Sequence, residues 1–209
     1  MTGVRIWFAL LCGAALAIHV SRAQSPGFES LTPKKDVTEH WIIVGTPAEV
    51  WSVRDGVIAC AGEPRGYLRS KRKYKNYILR AEWRFKAEGW NLAPARWPNA
   101  GFFIHASEEV GQRWPKSFVE VQGHYGEAGS LFGGGIKGAK RGPIVKDRVP
   151  LGEWDRCEII SRDGAVQVVL NGVMVNQGSG ADPPEGYICL QSEGWPVYYR
   201  NVEIKVLPD

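Results

Sequence analysis

The sequence predicts an all-β protein, with its strands arranged as a two-sheet antiparallel sandwich or a barrel. Three observations carry this. Apolar and polar residues alternate in short runs, most clearly over residues 77–86. Tight-turn pairs at Asp55-Gly56, Asp163-Gly164 and Asn171-Gly172 punctuate the runs. No helical periodicity of useful length follows residue 23. The chain has 209 residues, 44% of them hydrophobic, which is enough for one domain with a full core.

In chain order, residues 1–23 read as a secretory signal. Arg5 supplies the positive start, residues 6–20 are almost wholly apolar, and Ser21 and Ala23 place small residues at the −3 and −1 positions of a cleavage site. The apolar run is short for a membrane span, so the mature chain is expected to carry none. Leu11 before Cys12 argues against lipidation, where a small residue is wanted. The expected location is periplasmic or extracellular. Loss of Arg5 and Arg22 lowers the net charge from +4 to +2, which gives no reason to expect nucleic acid as a partner. Residues 24–40 read as an extended lead-in to a single domain over 41–209.

Residues 51–60 form a hairpin around Asp55-Gly56. A short strand at 67–70 leads into a basic turn at 71–75. In 77–86, Tyr77, Leu79, Ala81, Trp83 and Phe85 share one face, and Arg80, Glu82, Arg84 and Lys86 share the other. Residues 87–99 form a loop carrying Trp90 and Trp97. In the next strand, Phe103 and His105 share a face opposite Phe102 and Ile104. At 118–122, Phe118, Glu120 and Gln122 alternate with Val119 and Val121. A carboxylate and an amide on one face suit a wet groove, and His124, Tyr125 and Glu127 follow in a glycine-rich loop. Residues 126–150 are expected to be irregular. A meander over 154–176 and strands at 187–191 and 202–206 complete the domain.

Residues 133–138 satisfy G-x-G-x-x-G, but no helix start follows, so a nucleotide partner is not supported. Cys60, Cys157 and Cys189 lie in apolar strand-like runs and are expected to be buried thiols.

The ordered series YLRS (67–70), YILRAEWRF (77–85), NAGFFIH (99–105), VEVQ (119–122), EWDRCEI (153–159), LNGV (170–173), LQ (190–191) and YRNV (199–202) resembles the 3-keto-disaccharide hydrolase domain family. The resemblance implies a jelly roll of concanavalin-A-like type, exported, with some members cleaving glycosides already oxidised to a ketone at C3. It departs at Ala100, at Gly123 and His124, and at 192–194, where Glu193 or His124 would stand in for a family histidine.

Such cleavage needs a base near neutral pKa, a positive group at the enolate oxygen and an acid for the leaving oxygen. The outward faces offer Glu120 and Glu82 as carboxylates, His105 and His124 as imidazoles, and Arg84 as a cation. Gln122, Asn99 and Gln191 are candidates for holding sugar hydroxyls, and Trp90 and Trp97 for stacking on the ring. A divalent metal held by His105, His124 and a carboxylate is the cofactor to consider. The expected partner is a carbohydrate or an oxidised glycoside. The alternatives are a two-carboxylate glycosidase and a carbohydrate-binding module without catalysis.

Overall fold

The computed structural model describes residues 26–87 and 97–209; the expected signal at 1–23 and Trp90 lie outside them. Among the described residues the strands are β1 (Glu29–Ser30), β2 (Trp41–Val44), β3 (Trp51–Arg54), β4 (Val57–Cys60), β5 (Gly66–Tyr74), β6 (Tyr77–Phe85) and β7 (Gly101–Ala106). They continue as β8 (Val119–Gln122), β9 (Leu131–Gly133), β10 (Asp155–Arg162), β11 (Ala165–Leu170), β12 (Val173–Gly178), β13 (Gly186–Ser192) and β14 (Val197–Val206).

They form two antiparallel sheets. One runs β12-β11-β10-β6-β14-β4-β3, with β1 added against β14; the other runs β2-β5-β13-β7-β8-β9. This is the two-sheet jelly roll, not the closed barrel. Strands distant in sequence are neighbours, so each sheet draws on the whole length of the domain.

The alternation in β6 explains the packing. Tyr77, Leu79, Ala81, Trp83 and Phe85 are buried between the sheets, while Arg80 and Arg84 remain partly exposed on the outside. Phe102 on β7 meets Trp83 and Tyr199 of the opposing sheet edge-on, with centroids 5.6 Å and 6.0 Å apart. Replacing a buried Phe of this kind with Ala costs about 3–5 kcal/mol.

Several boundaries move. The basic run Lys71, Arg72, Lys73 is not a turn but continues β5 to Tyr74. Its side chains point to water beyond the end of β2, so charge does not interrupt the strand. The lead-in contributes β1, and Leu31 and Val37 enter the core. The long segment after β8 contains β9 and is fastened to β12: the Asn176 side chain accepts from the Lys140 amide at 2.9 Å and donates to the Gly129 and Lys140 carbonyls. Within it, Gly133, Gly134 and Gly135 all have positive φ, and a Cβ on Gly134 would lie 2.6 Å from Val119 Cγ2. The glycines therefore serve a tight turn against β8. Cys60, Cys157 and Cys189 are free and buried.

Candidate functional site

The site is built on β8. Val119 and Val121 enter the core, so Glu120 and Gln122 face outward from the six-stranded sheet. Glu120 stands opposite Phe103 of β7 on one side and Phe132 of β9 on the other. Two rings flanking one carboxylate leave it 8% exposed. Burial raises its pKa to about 7, with Glu193 adding to the rise and the Gln191 hydrogen bond and Arg141 opposing it.

Gln191 reaches Glu120 from β13, two strands away, and its Nε2 donates to Glu120 Oε1 at 3.2 Å. Gly101 of the intervening β7 makes this possible. A Cβ there would lie 2.7 Å from Gln191 Oε1, so a side chain would displace the amide. Gln191 is fully buried, and its backbone carbonyl accepts from the Tyr199 hydroxyl at 2.8 Å, which anchors it to the opposing sheet.

Two residues beyond Gln191, Glu193 is half-buried, and its Oε2 is buried without a hydrogen-bond partner. Burial raises its pKa, against Arg65 and Arg113. Arg141 lies over the Phe132 ring, 4.2 Å from its centroid, which brings a cation beside Glu120.

At the end of β8, Gln122 Oε1 accepts from the His124 amide at 2.9 Å, and His124 Nδ1 accepts from the Gly126 amide at 3.2 Å. The imidazole thus keeps Nε2–H as its donor. Burial lowers its pKa, with Glu127 raising it and Arg148 lowering it. Residues 97–100 run beside this loop through hydrogen bonds from Gly123 to Ala100 and from Tyr125 to Pro98. There Trp97 packs edge-on to Tyr125 at 5.3 Å, and Asn99 holds a buried Oδ1 without a partner.

Glu120, Gln122, Gln191, His124, Asn99 and Trp97 therefore belong to one sheet and its adjoining loop. Glu82, Arg84 and His105 do not join them. Glu82 and Arg84 lie on the outer face of the opposite, eight-stranded sheet. Glu82 is 4% exposed and pairs with Arg200 Nε at 2.8 Å and Arg156 Nε at 3.3 Å. Arg84 sits between the Trp154 and Tyr198 rings, 4.9 Å and 5.2 Å from their centroids.

His105 does not share the outer face with Phe103. It adopts φ 51°, and the pairing with β13 shifts register there. The bulge turns the ring inward, where Nε2 lies 2.9 Å from Ser161 Oγ and burial lowers its pKa. The expected metal set is thus not assembled. Among the described residues no group of three or more His, Cys, Asp or Glu side chains is placed to hold a metal ion.

The residues that the sequence did not single out for the site are Phe103 and Phe132, which enclose Glu120, and Arg141. Only Phe103 carried a signal, as the alternating outward residue of its strand. Trp114 packs on Phe103 at 5.4 Å and covers the neighbouring part of the same face.

The jelly-roll fold is shared with glycosyl hydrolases and a carbohydrate-binding module of known structure. Among solved structures, a candidate glycosyl hydrolase from Parabacteroides distasonis ATCC 8503 matches with TM-score 0.66 and 23% identity, over 87% of this chain and 94% of that one. The carbohydrate-binding module CBM66 from Bacillus subtilis matches with TM-score 0.58 and 12% identity, over 79% and 95%. A Bacillus licheniformis β-glucanase matches with TM-score 0.55 and 12% identity, over 88% and 100%. No curated protein sequence matches. The chain belongs to the 3-keto-alpha-glucoside-1,2-lyase-like domain family, whose profile matches residues 27–205. Among the described residues no helix is long and apolar enough to cross a membrane.

Proposed function

We propose that this protein cleaves glycosides bearing a ketone at C3, on the outer face of its six-stranded sheet. The observation that carries the reading is Glu120, a carboxylate enclosed by two rings and held near half-ionisation at neutral pH.

The ketone acidifies the C2 proton. Glu120 takes that proton, and the electrons of the C2–H bond form an enolate whose charge rests on the C3 oxygen. Arg141, whose charge reaches Glu120, offsets the enolate charge. The enolate then collapses to a ketone, a C1–C2 double bond forms, and the substituent oxygen leaves C1. His124 Nε2–H supplies a donor for that oxygen. Water adding across the double bond completes a hydrolysis; without it the reaction ends as an elimination. Gln122 and Asn99 serve the sugar hydroxyls, and Trp97 offers a ring beside them.

Glu120→Gln keeps the shape and removes the base. Cleavage of a 3-keto-glucoside should fall by about a thousandfold. Undiminished cleavage by Glu120→Gln would overturn the assignment. Sugar binding without turnover of oxidised or unoxidised glycosides would instead make the domain a binding module.

A further inference from the structure

A cavity lies on the far side of the sandwich from Glu120. It lies on the outer face of the eight-stranded sheet and encloses about 870 Å³. We propose that this cavity is a second carbohydrate site, one that binds a neutral glycan chain without cleaving it. The proposal goes beyond the reading of the Glu120 face and does not depend on it.

Two properties of the walls point to this ligand. First, they are set before anything binds. Glu82, almost fully buried, holds the Nε groups of Arg156 and Arg200 at 3.3 Å and 2.8 Å. The Arg200 guanidinium lies over the Trp154 ring, 3.9 Å from its centroid. The Asn171 side chain is fixed from both ends, donating to Asp155 Oδ1 at 3.0 Å and accepting from the Arg156 amide at 2.9 Å. Groups already locked by neighbours lose little freedom when a ligand arrives.

Second, both signs of charge are present in nearly equal number. Three arginines and four glutamates line the cavity, interleaved rather than segregated. A polyanion would meet the carboxylates, and a cation would meet the guanidinium groups. A neutral chain of hydroxyl groups can donate to the first and accept from the second at once. The guanidinium group stacked on the indole offers N–H donors to sugar hydroxyl groups. The volume lies within the usual range for ligand sites, roughly 300–1,000 Å³.

The test is affinity electrophoresis of the native protein in gels containing dextran, starch, mixed-linkage β-glucan or polygalacturonate. At least one neutral glucan should retard the wild-type protein and Glu120→Gln equally. Arg156→Ala and Trp154→Ala should each weaken that retardation about tenfold or more. Arg156 is 68% exposed, so its truncation leaves the fold intact and carries the test should Trp154→Ala not fold. Arg156→Ala should also cleave a small 3-keto-glucoside at the wild-type rate. Retardation by polygalacturonate alone, or by none of the four, overturns the proposal. So does retardation that Glu120→Gln abolishes and Arg156→Ala preserves. Failure of the Glu120 mechanism appears only in the cleavage assay and leaves the gel result unchanged.

Discussion

The two outer faces of this sandwich each bury one glutamate, and they do so in different company. Glu82 on the eight-stranded sheet is clasped by two guanidinium groups. Glu120 on the six-stranded sheet has two phenylalanines as cross-strand neighbours and one amide as its hydrogen-bond donor. The first arrangement satisfies a charge and fixes the side chains around it. The second leaves a carboxyl group whose pKa burial raises to about 7, so both protonation states are populated at neutral pH, which suits proton transfer. Burial alone does not decide how a carboxylate titrates; the kind of neighbour does.

The sharpest way to break this contrast is paired substitution. Glu120→Gln should reduce cleavage of a 3-keto-glucoside about a thousandfold, while Glu82→Gln should leave the rate within about twofold. Equal losses in steady-state assays would erase the distinction.

The next effect concerns stability. The folded pKa of Glu120 is raised from 4.5 to about 7, so the folded state binds its proton more tightly than the unfolded state. The penalty is absent below about pH 4.5, grows between the two values, and is complete above about pH 7. Glu120→Gln should therefore stabilise the protein at pH 8 by up to about 3 kcal/mol and leave it nearly unchanged at pH 4. Denaturant unfolding at both pH values reads this directly. Glu82→Ala should act in the opposite direction at pH 7. It strands two arginines beside an emptied site, at a cost of about 2 kcal/mol, reduced from the fully buried case because both arginines are partly exposed.

The smallest expected change sharpens the comparison most. Gln191 lowers the Glu120 pKa through its hydrogen bond. Gln191→Leu should raise the midpoint of the rising limb of kcat/KM against pH by about half a unit to one unit. A midpoint that stays in place would mean that the amide does not govern the carboxylate.

Much of the fold was legible because a strand with one buried face writes its orientation in a period of two. Tyr77 to Phe85 shows this, and so do the turns at Asp55-Gly56, Asp163-Gly164 and Asn171-Gly172, whose paired positive φ values fit the hairpins they close. Glu120 and Gln122 were placed on one face for the same reason, whereas Gln191 was named for sugar hydroxyls without its place beside Glu120 being legible. The period says nothing about which sheet a strand joins. Both outer faces of a sandwich are polar, so Glu82 and Arg84 resembled Glu120 in pattern while lying on the far side of the core. His105 was lost to a different cause. One residue at φ 51° inserts a bulge, and from there the alternation counted from Phe103 no longer predicts direction. Arg141 stands in a loop after β9, where no periodicity exists to reveal its approach to Glu120.

The bare backbone at Gly101 leaves room for the amide that moderates the acidity of Glu120 on the adjacent strand. A methyl group there would meet Gln191 Oε1 at 2.7 Å and the Gly123 nitrogen and Val121 carbonyl oxygen at 2.8 Å, so it would press both on the amide that restrains Glu120 and on the backbone beside it. A change at a position that faces no ligand would thus reach the carboxylate through its neighbour.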